Sequence, residues 1–287
     1  MNIIQSLFIV LLWLLPLQAE EHHRPSTVSD RKVDSQQLTN DIRNWALGCG
    51  AVLFESNHDR HDLLAGEVES ERNIQRFKRL LHDSWGIDNR DDLLSAIRSL
   101  DRGGHRKGFS YWYNIVKYNT EEQLAPVLRF YKHNHELMYE IGIIRKHLNE
   151  VNNRGILAWD YCRIIHLCRW GYLCGYMKEQ EAWDCILYYA RILQKNFASW
   201  EEMGKNYLIG REYWSESHSK KNGYRWEDAF QRLIDMPSSP WNKYPWDMEL
   251  GTGKPPTWLK PRIPKPRVAP EKPKIQQPKR TKKQNYF

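Results

Sequence analysis

The stretch WDYCRIIHLCRWGYLCGYMKEQEAWDCILYYARILQKNFASWEEMGKNYLIGREYW, residues 159–214, sets charged residues into an otherwise apolar, tryptophan-rich pattern of helical period. A helix that is apolar on nearly every face must be buried on nearly every face. Any charge it carries is then paired or functional, because an unpaired buried charge costs several kcal/mol.

The pattern predicts a helical hairpin. A first helix, roughly Trp159 to Cys174, is followed by a turn at Gly175-Tyr176. A second carries Ala182, Ile186, Tyr189, Leu193 and Phe197 as one apolar stripe. Ser199-Trp200-Glu201-Glu202 is a capping box, opening a third helix faced by Met203, Tyr207, Gly210 and Trp214. Within the first helix Asp160, Arg163, His166 and Arg169 recur every three residues, forming a slowly winding polar band whose neighbours can touch. Two readings stay open. Asp160 and Arg163 knit buried helices together as a bidentate pair, with Arg169 reaching the surface; or the band lines a cleft. In the second reading Asp160 or Glu181 is a general base, Arg163 orients an anionic group and His166 belongs to the same cluster. His105, after Gly103-Gly104 and beside Arg106, is a further candidate at a helix start, with plain capping and packing as the alternative.

These residues carry a resemblance. Trp159-Asp160 with Arg163, Arg169-Trp170-Gly171-Tyr172, Gly175-Tyr176, Glu181-Ala182-Trp183, Gln194, Phe197, Ser199-Trp200-Glu201 and Gly210-Arg211 with Trp214 resemble the core pattern of a bacterial helical family, domain-of-unknown-function family 1266. Trp85-Gly86-Ile87 and Gly104-His105-Arg106 look like family positions too, so the similarity spans roughly Asn40 to Pro237. Lys178 departs from the pattern, standing where such proteins tend to carry a helix N-cap. The resemblance implies an all-α fold and no particular activity.

Elsewhere helix signals recur and strand signals are sparse. Thr39 or Asn40 is placed to cap a helix with Ile42, Trp45, Cys49 and Val52 on one face. Ile74, Phe77, Leu80 and Leu81 mark another, ending near Trp85-Gly86. Asn89 precedes Arg90-Asp91-Asp92 as an N-cap, and Gly103-Gly104 stops that helix. A capping box at Thr120–Gln123 opens one long helical region towards Leu148. The expected architecture is a single all-α, multi-helix domain over residues 39–237 with a central hairpin, then a Trp- and Pro-containing loop region over 238–252.

The termini read differently. Ile3–Leu15 is an apolar run followed by Leu17-Gln18-Ala19 and the polar Glu20-Glu21-His22-His23, a pattern expected of a signal peptide over residues 1–19, with a linker over 20–38; an uncleaved N-terminal anchor is the alternative. The chain is therefore expected to be exported, periplasmic or secreted. Its net charge of +8 comes from the other end. Residues 253–287 hold eleven Lys and Arg against the single acid Glu271, so the rest of the chain is slightly acidic. With eight of the fourteen prolines, this stretch is expected to be a disordered, extended arm. Its Lys254–Lys283 span suits an anionic polymer or membrane surface by counterion release, or is a plain solvated spacer. It contains no specific nucleic-acid motif.

No metal site or cofactor is expected, because neither His58-Asp59-Arg60-His61-Asp62 nor His133-Asn134-His135 has the ligand spacing of a metal motif, and both read as exposed. Of five cysteines, Cys162, Cys168 and Cys174 are too far apart along one helix to pair with one another. Cys168 and Cys185 sit at similar height across the hairpin and suit either a disulfide or two small buried hydrophobes. Two function classes follow. The first is an exported binding or interaction module for an unknown protein or envelope component, its Trp241, Trp246 and Trp258 serving as aromatic anchors. The second is a hydrolase-like enzyme using Asp160, Arg163, His166, Glu181 and His105 in a helical cleft, a reading that lacks an identified nucleophile.

Overall fold

Helix α8 (Leu157–Leu173) runs through the middle of a computed structural model that describes residues 28–259, with side chains from Gln36 onward. Every α8 side chain but Tyr172 is buried. Helix α9 (Glu179–Asn196) returns antiparallel after Gly175, whose φ of 75° lets the chain reverse. Ala182, Ile186, Tyr189 and Leu193 face α8, as the stripe requires. Helix α10 (Trp200–Trp214), capped by the Ser199 hydroxyl, packs on the opposite side of α8. The hairpin and third helix are thus as the sequence expects.

Around this centre lie α3 (Glu71–Trp85), ended by Gly86, and α4 (Arg90–Arg102), capped by the Asn89 side chain. Both contact α8. Close approach is made possible by glycine. A Cβ on Gly171 would run into the Leu93 side chain of α4, and one on Gly210 into Trp159 of α8. Helix α5 (Arg106–Tyr118) packs on α7 (His135–Lys146), and α11 (Glu216–Asp235) packs on α2 (Ala51–Asn57) and α10. All elements of the described residues are helices. The unit from Thr39 onward contains all of these elements, and residues before it form a separate one.

Four expectations are corrected. Thr39 and Asn40 lie inside α1 (Val28–Gly48) rather than at its start, and Val52 falls on α2 after a break at Gly48–Gly50. The long region from Thr120 is two helices, α6 (Glu121–Tyr131) and α7, because the Asn134 side chain caps a new start by accepting from Leu137 N. Arg169 does not reach the surface; it is fully buried. The segment 238–252 is irregular apart from the short α12 (Pro240–Lys243), as expected, but its tryptophans are not the free aromatic anchors expected of them. Trp241 donates its indole N–H to Gly48 O, Trp246 to Phe197 O, and Trp45 and Trp200 donate back to Pro245 O and Tyr244 O. These four indoles stack with one another in the interior, and Trp258 packs against the same core, so none is an exposed anchor.

All five cysteines are free and buried. Cys168 and Cys185 do meet across the hairpin, where each thiol lies beside the other and burial raises the Cys185 pKa. The proposed signal peptide and the tail beyond Leu259 lie outside the described residues.

Candidate functional site

Asp160 sits in the first turn of α8 with no exposed surface. One carboxylate oxygen accepts from His105 N at 3.2 Å and from Arg163 Nη2; the other accepts from Arg106 N and Arg106 Nη1, both at 3.0 Å. A carboxylate offers about four acceptor sites, and all are filled. The reason is local. Helix α5 starts at His105, which supplies no side-chain cap, so its free N–H groups are capped across the fold by Asp160. Gly104 makes room: at φ 47° its backbone passes so close that a Cβ would stand 2.5 Å from the Asp160 carboxyl carbon.

This arrangement removes the general-base role. Asp160 has no lone pair left for a substrate proton. His105 fares no better, since its Nδ1 accepts the indole N–H of Trp159 at 3.0 Å. An indole nitrogen only donates, so Nδ1 is unprotonated and the neutral ring carries its proton on Nε2. Burial, reinforced by Arg163, pushes the His105 pKa down to about 4. Arg163 is nearly buried, lying 4.6 Å from the Trp159 ring centroid and 5.7 Å from that of Trp85. Burial lowers its pKa and Asp160 opposes the shift.

The rest of the proposed cluster disperses. His166 shares its Nε2 proton with Gly50 O at 3.2 Å, and burial, with Arg169 beside it, drives its pKa to about 3. Arg169 stacks on Phe54 at 3.4 Å and donates to Leu64 O, Leu63 O and Arg60 O, holding the 58–66 loop against the core. That loop also corrects the exposed reading of His58–Asp62, because Asp59 within it is buried. Glu181 belongs to another place: it accepts two N–H bonds from Arg90, at 2.9 and 2.7 Å, and reaches back to Lys178 N at 3.0 Å. Glu181 therefore supplies the cap that Lys178 lacks, and α9 starts cleanly at Glu179.

Above the Asp160 network lies an open cleft of about 810 Å³ between the end of α3, α4 and the start of α5. Arg163 and Gly104 line it together with Arg98, Arg102, Lys107 and His105; Asp92 is the single acid. Four full positive charges thus face one negative. Arg98, Arg102 and Lys107 escape a reading of sequence alone because they flank the turn singly, and only the α4–α5 fold-back at Gly103-Gly104 gathers them. Among the described residues no group of three or more His, Cys, Asp or Glu side chains is placed to hold a metal ion. No described helix is long and apolar enough to cross a membrane.

Comparison with known proteins places this geometry in a family. A family profile described as "protein of unknown function (DUF1266)" matches residues 80–246, a span that includes the cleft, the Asp160 network and the interior Trp241 and Trp246. Its start lies later than the resemblance from Asn40, and its end lies beyond Pro237. The uncharacterised Escherichia coli K12 protein YbeR is 30% identical over 139 residues, covering 47% of this chain and 56% of its own. The uncharacterised YbeU of the same strain is 28% identical over 171 residues, 56% of this chain and 71% of its own. The chain thus spans little more than half the length of the first of these relatives. No solved structure matches it. On the profile match over more than half its length, the chain belongs to the DUF1266 family.

Proposed function

We propose that the domain is an exported binding module that recognises an anionic envelope surface, with the cleft over Arg163 taking a headgroup-sized anionic group. One observation carries this reading: Arg98, Arg102, Lys107 and Arg163 converge on a cleft whose lining holds a single acid, Asp92. Such a lining attracts anions and raises their local concentration. The basic tail strengthens the reading by position. Arg98, on the cleft wall, also donates to Trp258 O, so the described chain ends beside the cleft at the point from which the Lys254–Lys283 stretch continues.

Binding to phosphatidylcholine vesicles with and without phosphatidylglycerol tests it. The full chain is expected to bind only the anionic vesicles, less tightly as salt is raised. Arg102→Gln with Lys107→Gln removes two exposed cations at roughly 1 kcal/mol each, weakening binding about 30-fold. Equal binding to neutral vesicles, or an unchanged affinity in the double variant, would contradict the cleft's role. The export part expects a mature chain beginning at Glu20 in the cell envelope; a cytosolic protein retaining Met1 would contradict it.

A further inference from the structure

Arg211 differs from the other cationic side chains of the interior. Its guanidinium lies flat on the Trp226 ring at 3.5 Å and stands 5.6 Å from Trp214. Stacking engages the face of the guanidinium, and the half-buried side chain keeps its N–H edge free in an open cavity. Burial brings its pKa down to about 10, with Tyr207 opposing the shift and Arg225 adding to it. Neither is a carboxylate. Arg225 spends its own N–H groups on Ser56 O and Asn57 Oδ1. Trp226, which is nine-tenths buried, likewise has an indole N–H without an acceptor. The buried Trp226 N–H is costly without an acceptor, and an oxygen-bearing ligand beside it would serve the free Arg211 edge as well.

Both residues line one cavity of about 280 Å³ between α10, α11 and the end of α7. Two of its carboxylates are engaged within the wall, Glu212 with Lys146 and His147, and Glu150 with His147, while the third, Glu227, is exposed. Gly223 on α11 contributes no side chain to the wall and has nothing within 4 Å of where one would stand.

We propose that this cavity binds a small organic carboxylate, held edge-on by Arg211. The planar fork of a guanidinium matches the two oxygens of a carboxylate, which is also a single negative charge. A doubly charged phosphate is disfavoured by Glu150, Glu212 and Glu227 on the same walls. The cavity's volume suits a compact acid rather than a polymer. This site lies apart from the Arg163 cleft, shares no lining residue with it and stands independently of that reading.

Proton–nitrogen NMR of the tryptophan indoles reads it directly, with the Trp226 signal identified as the one lost in Trp226→Phe. Titration of the full chain with propionate is expected to move the Trp226 signal saturably, and inorganic phosphate at equal concentration to leave it in place. Arg211→Lys keeps the charge and loses the fork, so propionate should bind about tenfold more weakly; indole signals remote from the cavity report whether that variant is folded. A Trp226 signal that propionate does not move, one that phosphate moves as strongly, or equal affinity in Arg211→Lys would overturn the proposal.

Discussion

Asp160, His105 and His166 show how a buried polar residue is kept from doing chemistry. Asp160 accepts from four donors, His105 Nδ1 accepts the Trp159 indole N–H, and His166 Nε2 donates to the Gly50 carbonyl. The two imidazoles are held neutral by burial, with folded pKa values of about 4 and about 3 against an ordinary 6.5. The unfolded chain therefore takes up protons first as pH falls. Their contribution to stability is complete above about 6.5 and is lost progressively as pH drops towards those lower values. Glu140 has the opposite sign, because burial raises its pKa from 4.5 to about 7; its contribution is present at low pH and lost as pH rises through 7. Imidazole carbon shifts followed by NMR should stay flat for both histidines between pH 7 and 5. A midpoint near 6.5 for either ring would show that it is solvated rather than enclosed.

At the scale of elements, helix contacts hinge on a few glycines. Gly210 lets α10 lie against Trp159, and a methyl group there would collide with the Trp159 Cβ, an atom fixed to backbone that cannot swing aside. Gly210→Ala should therefore cost about 1 to 3 kcal/mol in denaturant unfolding. Gly142, inside α7, has open space where its Cβ would stand, so Gly142→Ala should be neutral or stabilise by about 0.5 to 1 kcal/mol. If both variants behaved alike, the close α8–α10 approach would be wrong. Helices α3, α4, α8, α9 and α10 are legible in the sequence because each carries an apolar pattern of helical period, with Gly86 closing α3 and Asn89 and Ser199 opening α4 and α10. The α6–α7 break is not, since Asn134 interrupts a region whose apolar spacing continues on both sides. The destination of Arg169 is hidden for another reason: its acceptors are backbone carbonyls about a hundred positions away, and carbonyls carry no sequence signal. Glu181 stands apart from the Asp160 network because its partner Arg90 comes from α4, a pairing with no local sequence signal.

For the whole molecule, the boundary of the folded unit lies further along than composition suggests. The basic, proline-rich stretch starts at Gly253, yet Trp258 and Leu259 still pack on the core, the latter only 4% exposed. Composition averages over a window and misses two anchoring side chains. Ending the chain after Leu259 should leave the thermal midpoint unchanged. Ending it after Thr252 should lower the midpoint, because burying one Leu or Trp side chain stabilises by about 1.5 to 3 kcal/mol. Ending it before Trp241 should abolish cooperative folding, since Trp45 and Trp200 lose their ring contacts with Trp241 and Trp246 and both of their acceptors. Equal midpoints for the first two truncations would return residues 253–259 to the tail. The same logic separates structure from recognition. The Asp160 network, Arg163 included, organises the start of α5, whereas Arg98, Arg102 and Lys107 lie outside it on the cleft wall, so the proposed binding can be lost at those three residues without touching the network.

That separation rests on Asp160 being structural. Equilibrium unfolding of Asp160→Asn in denaturant tests it most directly: the amide would leave the Arg163 and Arg106 guanidinium groups without their shared carboxylate and turn an N–H group towards donors. The account predicts a loss of about 3 to 5 kcal/mol, with part of it recovered when Arg163 is replaced as well. A folded Asp160→Asn protein of unchanged or increased stability would contradict it, and would mark Asp160 as a residue held for function instead.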